Sequence, residues 1–316
     1  MKIRLKFEKT NLIRLIVAMI FAAVLYYKVT FPVYVLAGFG ACYFLIKSLE
    51  IEINNKWLKL ALNVVLLGGS SVLTAYMVQY LLLDAELRAK ITDTKMFLNV
   101  LCCLVVYVVV QVFTKNAGLT CIISHITLIS FAGIDYFVYL FRGNEFIFSD
   151  LRSISTGLSV AGNYEFVLDD RAVYVVLLSA LYVAFVRKIH VKFEKRLWMA
   201  VVCISIAVFC CAYIGTETEG TVTETWEQKG SYRNGYILNY VLSIRDCFIA
   251  EPDGYSEEVV TELENQYSND RESYVNQNIE KKPTIIVVMS ESYADLSVVG
   301  DFLTNEQVTP YYDSLK

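Results

Sequence analysis

The sequence predicts a polytopic α-helical membrane domain, followed by a linker and the beginning of an extracytoplasmic α/β domain. Hydrophobic residues make up 56% of the chain, and its mean hydropathy is positive, which is unusual for a soluble globular domain. The long apolar runs are confined to residues 1–215, whereas residues 216–316 are polar and acidic. Within that second part, one short apolar run over residues 284–289 has the composition of a buried strand.

The first part contains about seven apolar segments of the length that a membrane-spanning helix needs. A helix requires roughly 20 apolar residues to cross a hydrocarbon layer, because no water is present there to pair with its backbone. The segments are 12–27, 30–46, 58–83, 96–113, 119–141, 172–186 and 197–215. If one pair forms a re-entrant hairpin the number of crossings falls to five, and both ends of the domain stay on the same sides.

The distribution of basic residues predicts the orientation of these helices. The amino terminus and the even-numbered loops carry 14 lysines and arginines, and the odd-numbered loops carry 7. Basic residues are retained on the cytoplasmic side. We therefore expect a multi-pass protein of the cell membrane, with a cytoplasmic amino terminus and an extracytoplasmic carboxyl-terminal part.

One predicted outer loop contains candidate functional side chains. It covers residues 142–171 and begins with the sequence FRGNEFIFSDL, in which Arg142, Glu145 and Asp150 are charged. These residues are candidates for positioning the membrane domain against the outer domain. They are also candidates for binding a lipid headgroup, whose phosphate would pair with Arg142. The alternative is an interfacial loop with a local ion pair.

The polar part begins with a linker, residues 216–282, that we predict to contain short helices. The stretch TETEGTVTETWEQKG is too polar to bury a core. Residues 232–250 then show helical periodicity, which indicates a helix on the membrane surface or against the outer domain. Further on, Ser256 is placed to cap a helix whose first turn carries Glu257 and Glu258.

Residues 283–316 are predicted to begin an α/β domain. The run TIIVVM, residues 284–289, lacks alternation, as in a strand buried on both faces of a parallel sheet. Glu291 follows it directly, at the end of the strand where open α/β sheets bind ligands. A carboxylate there suits a hard divalent cation, although a solvated loop residue or a helix cap is the alternative.

In the order of these parts, the chain resembles the lipoteichoic acid synthase group of phosphoglycerol transferases, in the alkaline phosphatase and sulfatase superfamily. The resemblance covers the whole chain loosely. It is specific in PTIIVVMSESYADL at 283–296 and in TPYYDSL at 309–315. It implies an alkaline phosphatase-like fold after residue 283 and a divalent metal bound by Glu291, usually manganese, with magnesium or zinc as alternatives.

The activity that the resemblance implies is transfer of glycerol phosphate from phosphatidylglycerol to a cell-envelope polymer or glycolipid. In the family, a metal-activated threonine attacks the phosphodiester and diacylglycerol leaves. The nucleophile and the remaining metal ligands have no matching positions in this chain, and neither Thr304 nor Thr309 is assigned that role. We therefore expect an incomplete catalytic domain, and no turnover by the chain as given.

The sequence is also compatible with two alternative functions. One is another member of the superfamily, which transfers phosphoethanolamine or hydrolyses a sulfate or phosphate ester. The other is a non-catalytic membrane scaffold. Nucleic-acid binding is excluded, because the formal net charge is -4 and no basic run with interleaved aromatic residues occurs outside the loops between apolar segments.

Two ionisable residues lie within one apolar segment. His125 has no histidine or aspartate at helical spacing beside it, which favours a buried, hydrogen-bonded, neutral imidazole over a functional group. Asp135 is close enough to the outer end of that segment to reach the interface. Seven of the eight cysteines lie in apolar segments, so no disulfide framework is expected in the polar part.

Overall fold

A computed structural model describes most of the predicted membrane domain and two parts of the polar region. The described residues are 2–6, 8–53, 55–160, 162, 166–189, 191, 192, 202, 204, 206, 207, 230–245 and 254–275. They are mostly helical. The chain divides into two compact units, Met1–Ile249 and Ala250–Lys316.

The helices of the first unit follow the apolar segments closely. They are α1 (Lys9–Lys28), α2 (Val33–Ser48), α3 (Lys56–Leu82), α4 (Ala85–Arg88), α5 (Asp93–Thr114), α6 (Ala117–Arg142), α7 (Ile154–Val160) and α8 (Asp170–Val186). Six predicted segments therefore coincide with long helices. The seventh, 197–215, lies almost entirely outside the described residues.

Four of these helices are long and apolar enough to cross a membrane: Lys9–Lys28, Trp57–Leu82, Asp93–Thr114 and Ala117–Arg142. Val33–Ser48 is a shorter apolar helix. The surface of α1 carries exposed apolar side chains, among them Ile13, Val17 and Ile20. A row of exposed apolar groups of this kind is costly in water and is expected where a helix faces lipid. The first unit is therefore a helical membrane domain.

Local side-chain caps explain where several helices begin. Asn55 accepts hydrogen bonds from the backbone N–H groups of Trp57 and Leu58 at the start of α3. Asn116 does the same for α6, and Asp169 accepts one from Ala172 at the start of α8. Each cap satisfies backbone donors that have no partner inside the helix.

The core of the membrane domain is built by α3, α5, α6 and α8. Its buried members include Val78, Cys103, Tyr107, Cys121 and Val175. The last residues of α3 and α6 and the first residues of α5 and α8 lie at the same end of the helix bundle. We call this the loop end, because residues 143–169 connect α6 to α8 there.

A two-stranded antiparallel sheet that the sequence analysis did not predict lies elsewhere in the unit, and α1 and α2 connect its strands. Strand β1 (Lys2–Leu5) pairs antiparallel with β2 (Leu49–Glu52), with Ile3 opposite Ile51. The pairing joins the amino terminus to the end of α2. Both strands, KIRL and LEIE, alternate between polar and apolar residues, and this period of two is the signal that could have identified them.

At the opposite end from the loop end, α6 begins in close contact with the chain that follows α8. The backbone N–H of Ala117 donates to the carbonyl of Val191 at 2.9 Å. A Cβ atom added to Gly118 would lie 2.5 Å from the Ile189 carbonyl oxygen and 3.2 Å from that of Val186. The approach of these two backbones therefore requires glycine.

Gly118→Ala is expected to destabilise the membrane domain by about 1–3 kcal/mol, the usual cost of forcing a methyl group into a packed site. The matched control is Gly133→Ala in the same helix, where, among the described residues, nothing beyond the local backbone lies within 4 Å of the added Cβ. That change should be neutral or slightly stabilising, because alanine favours the helix. Thermal unfolding in detergent measures both, and equal melting temperatures for the two variants would contradict the packing at Gly118.

The polar region contains three further helices among the described residues. Residues Ser231–Asn234 (α9) and Tyr236–Arg245 (α10) belong to the first unit, and Glu257–Val275 (α11) belongs to the second. The predicted cap of α11 is confirmed, since Ser256 Oγ accepts the Val259 N–H at 3.2 Å. The structural boundary after Ile249 lies later in the chain than the compositional one at residue 215.

Candidate functional site

The loop that follows α6 is fixed at the loop end by a buried carboxylate. Asp135 is 1% exposed, and its Oδ1 accepts the backbone N–H of Phe146 at 2.6 Å. The suggestion that Asp135 reaches the interface was therefore wrong. The loop folds back over the end of α6, and this contact draws the carboxylate inward.

Two of the predicted site residues pair with each other. The Arg142 guanidinium donates to both carboxylate oxygens of Asp150, with Nη1 lying 2.9 Å from Oδ1. Its Nε and Nη2 also donate to the carbonyls of Asn144 and Glu145. Arg142 thus closes the turn that leads from α6 into the 3-10 helix Phe148–Ser153. A lipid phosphate at Arg142 would have to compete with this bidentate pair.

The third predicted residue, Glu145, binds residues inside the predicted linker of 216–282. Glu145 is buried, with only 3% of its surface exposed. It accepts hydrogen bonds from the Ser231 N–H at 3.1 Å, from the Ser231 hydroxyl, and from the Asn239 amide at 3.4 Å. A buried carboxylate needs such donors, since an unpaired one is expensive to bury.

Residues 230–245, which we call the docking segment, are also held by amide side chains from the membrane helices. Asn99 of α5 is fully buried; its Nδ2 donates to the Asn234 carbonyl at 2.6 Å and its Oδ1 accepts the Leu238 N–H at 3.0 Å. Gln79 of α3 accepts the Tyr236 N–H at 3.2 Å and donates to Asn99 Oδ1.

These contacts cap α10 from outside. The first N–H groups of any helix lack an intrahelical partner, and here those of Tyr236 and Leu238 are paired by Gln79 and Asn99. Helix α10 has 10 residues, which is too short to be stable alone in water. Its stability therefore comes from the membrane domain.

The turn before α10 depends on a glycine. Gly235 has φ +80° and ψ 147°, a backbone conformation that is almost restricted to glycine. A Cβ atom there would lie 2.4 Å from Asn99 Nδ2. Glycine thus provides both the turn and the room for the Asn99 amide to reach the backbone.

Apolar contacts complete the attachment. Leu238 and Leu242 are buried with Leu98 of α5, and the Phe131 ring lies edge-on to Tyr240 with centroids 4.6 Å apart. Tyr236 is 1% exposed, and burial raises the pKa of its phenol. The docking segment is therefore an integral part of the loop end, rather than a helix on the membrane surface or on the outer domain as periodicity suggested.

A second polar cluster lies inside the membrane domain, around His125. The imidazole is fully buried; Nδ1 lies 2.8 Å from Thr74 Oγ1 and Nε2 lies 3.0 Å from Ser179 Oγ. Thr74 also bonds to the Tyr107 hydroxyl at 2.7 Å. The prediction of a buried, hydrogen-bonded histidine is confirmed. The cluster joins α3, α5, α6 and α8 across the core.

The predicted metal ligand cannot be placed in this framework. Glu291 and the whole of 283–316 lie outside the described residues. Within the part of the chain that the structure describes, no three histidine, cysteine, aspartate or glutamate side chains lie together in a group that could hold a metal ion. The metal site therefore stays a prediction from the sequence.

Sequence reasoning identified Glu145 but not Gln79 and Asn99, the other side chains that hold the docking segment. Gln79 and Asn99 are single amides in long apolar runs, MVQYLLL and MFLNVL, and isolated polar residues in such runs are the signal that could have drawn attention to them. Their common target was not predictable, because the docking segment lies more than 130 residues after Asn99 in the sequence.

The chain was compared with protein-family models, with curated proteins and with solved structures, and none of the three comparisons gave a significant match.

Proposed function

We propose that residues 1–245 form the membrane anchor of a phosphoglycerol transferase of the lipoteichoic acid synthase type, and that the anchor holds the chain leading to its catalytic domain. The observation that carries the proposal is the docking segment. It lies within the predicted polar linker, yet Glu145, Asn99 and Gln79 fix it by buried hydrogen bonds to the loop end.

This arrangement suits an enzyme whose substrate is a membrane lipid. A phospholipid headgroup is confined to the bilayer surface, so a catalytic domain gains by being held close to that surface. The linker alone would act as a flexible tether with a wide reach. The docking segment shortens that tether, because the chain leaves the membrane domain at Arg245 rather than at residue 215.

The transferase part of the proposal is supported by the order of sequence motifs. Glu291 would supply an oxygen ligand to a divalent metal, for which manganese is the proposed ion. Once bound, such a metal acidifies an attacking hydroxyl and neutralises charge on a phosphoryl oxygen. The proposed donor is phosphatidylglycerol in the outer leaflet, which requires the orientation that the basic residues predict.

Diacylglycerol release tests this function. The protein is expressed from its reading frame in the natural genomic context, including any residues encoded after Lys316, and membranes are given fluorescent phosphatidylglycerol and Mn²⁺. We expect diacylglycerol to appear, and Glu291→Ala to slow its release by at least about a hundredfold, since a metal contributes several kcal/mol to such a transition state.

The matched control for that experiment is Glu264→Ala, at an exposed glutamate of α11. It should leave the rate unchanged. No release from the natural protein, or release that Glu291→Ala does not affect, would refute the transferase assignment. Release of phosphoethanolamine or of sulfate from the corresponding esters would instead favour another activity of the same superfamily.

A scaffold without catalysis is the second candidate, and one observation favours it. The buried polar contacts around the docking segment and around His125 hold the helices to one another and to the following chain. A scaffold would need these contacts and would not need Glu291. The Glu291→Ala comparison therefore separates the two candidates.

A further inference from the structure

A polar cavity of about 300 Å³ lies at the end of the membrane domain that is opposite the loop end. It is bordered by the start of α1, the end of α2, strand β2 and Lys188, which follows α8. Leu49 and Ile51 are the apolar residues among the eleven that line it, and the other nine are polar or charged. Such walls suit a soluble, polar ligand and give an acyl chain little to pack against.

Three basic side chains from separate elements converge on this cavity: Arg14 of α1, Lys47 of α2 and Lys188. The Lys188 Nζ donates to the Lys47 carbonyl at 2.7 Å, which fixes the chain after α8 against the end of α2. Lys47 is half-buried, and the charges of Arg187, Arg14 and Lys188 all repel it. Among the described residues, none of these four basic side chains forms an ion pair with a carboxylate. We call the four the basic cluster.

The three carboxylates that line the cavity are offset by basic residues of β1 and of the position that follows it. Glu8 forms an ion pair with Lys6 at 2.9 Å. The other two, on β2, lie opposite basic residues of β1 in the sheet register: Glu50 opposite Arg4, and Glu52 opposite Lys2. Opposite charges at such cross-strand positions attract each other. Three basic residues therefore match the three acidic ones, and the charge of the basic cluster is left unbalanced.

The basic cluster is costly to hold together without a counter-ion. Like charges repel one another, and partial burial strengthens that repulsion. Phosphate is a suitable counter-ion, since Arg binds its oxygens through parallel N–H donors and Lys adds a point charge. We propose that the cavity binds a soluble anion through a phosphate group with two or more negative charges, held by Arg14, Lys47 and Lys188.

The charge of the basic cluster and the side of the membrane define the ligand class. A phosphate monoester or a pyrophosphate matches the cluster better than a phosphodiester, because a single negative charge would leave most of the cluster unbalanced. The distribution of basic residues predicts that this end of the bundle is cytoplasmic. Nucleotides and other phosphorylated metabolites are therefore the class of ligand. The site does not depend on Glu291 or on the transferase assignment.

The test measures binding of radiolabelled inorganic pyrophosphate to the full chain in phosphatidylcholine nanodiscs, at about 0.1 M salt. We expect saturable binding of one pyrophosphate per chain, which excess unlabelled pyrophosphate displaces. Dihexanoyl phosphatidylglycerol, a short-chain lipid with a phosphodiester headgroup, should not displace it at the same concentration. Absence of saturable binding would overturn the proposal, and so would displacement by the short-chain lipid, since that would identify a site for a lipid headgroup.

Two variants test the residues that hold the anion. Lys47→Gln and Arg14→Gln should each weaken pyrophosphate binding by about tenfold, the size of effect that one charge-assisted contact gives. Arg14 is exposed, so its replacement keeps the test valid if Lys47→Gln disturbs the packing of α2. The matched control is Lys59→Gln, which removes the same charge from α3 at the same end of the bundle but outside the cavity. It should leave the affinity unchanged.

Glu50→Gln tests the sign of the electrostatic effect. It removes a carboxylate from the wall of the cavity, so pyrophosphate should bind more tightly. Weaker binding by Glu50→Gln would contradict the proposal. Equal affinities of the natural protein and Arg14→Gln, or equal losses in Arg14→Gln and Lys59→Gln, would also contradict it, because the cavity would then not be the place where the anion binds.

Discussion

Glu145→Ala is expected to release the docking segment from the membrane domain. The change removes hydrogen bonds from the Ser231 N–H, the Ser231 hydroxyl and the Asn239 amide to one buried carboxylate. Hydrogen bonds to a charged group each contribute about 1.5–3 kcal/mol, and the buried donors are left unpaired. The free energy of opening the segment should therefore fall by about 3 kcal/mol or more.

Hydrogen exchange of the backbone amides of residues 231–245 measures this effect. A loss of that size raises the exchange rate on the order of a hundredfold, since about 1.4 kcal/mol corresponds to a factor of ten. The control is Glu86→Ala, in which a glutamate with 86% side-chain exposure and a weak pair with Lys90 is removed. Unchanged protection in the Glu145→Ala protein would show that the carboxylate does not hold the segment.

The second large effect is expected from Asn99→Ala. This side chain caps α10 through Leu238, holds the Asn234 carbonyl, and bonds to Gln79. Its loss leaves a backbone N–H and a carbonyl buried without partners, at about 1–3 kcal/mol each. We expect the docking segment to become sensitive to protease at Arg233 and Arg245 in detergent.

Asn63→Ala provides a control of the same residue type. Asn63 is 3% exposed in α3, and neither atom of its amide has a hydrogen-bond partner among the residues that the structure describes. Its removal should leave protease resistance unchanged and should not lower the melting temperature through lost hydrogen bonds.

The double variant Glu145→Ala/Asn99→Ala tests whether the two residues act together. Its loss of stability in the docking segment should be smaller than the sum of the losses in the two single variants, because both residues hold the same segment. Full additivity would indicate that the two residues hold different structures.

The relation between sequence and structure differs between the two parts of the chain. The lengths of the membrane helices are set by hydrophobicity, which is a local property, and six of the predicted segments coincide with observed helices. The cap at Ser256 is local too, because the hydroxyl and the N–H of Val259 are three residues apart. Such features are predictable because each depends on residues that are adjacent in the sequence.

The candidate site depends on contacts between distant residues. Periodicity predicted a helix in residues 232–250 on the membrane surface or against the outer domain, and it assigned no partner to the polar residue Asn239. In the structure the Asn239 side chain donates to Glu145, and Asn99 donates to the backbone carbonyl of Asn234. A polar side chain gives the same sequence pattern whether water or another amide pairs with it, so the pattern alone could not assign the partner.

Arg142 and Asp150 illustrate the same limit in another way. Both were candidates for a functional role, with a local ion pair as the alternative, and the structure shows that ion pair, which shapes the turn.

The docking segment gives the membrane domain a role beyond anchorage. An apolar helix bundle needs only lipid to be stable, whereas Gln79, Asn99 and Glu145 are costly to bury unless a polar partner is present. Their presence at one end of the bundle is explained by the segment that they bind. The membrane domain and the docking segment therefore belong to one compact unit, Met1–Ile249.

Cross-linking between Phe148 and Ser243 tests this account most directly. The Phe148 N–H donates to Ser243 Oγ at 2.9 Å, so cysteines at these two positions should react with a short bis-thiol reagent. The eight native cysteines are first replaced with alanine, and a protease site is placed in the linker within 216–229. We predict that, after cleavage, the two fragments of Phe148→Cys/Ser243→Cys stay joined on a denaturing gel, while those of Glu86→Cys/Ser243→Cys separate. Separation in both, or equal cross-linking in both, would contradict the docking of residues 230–245 on the membrane domain.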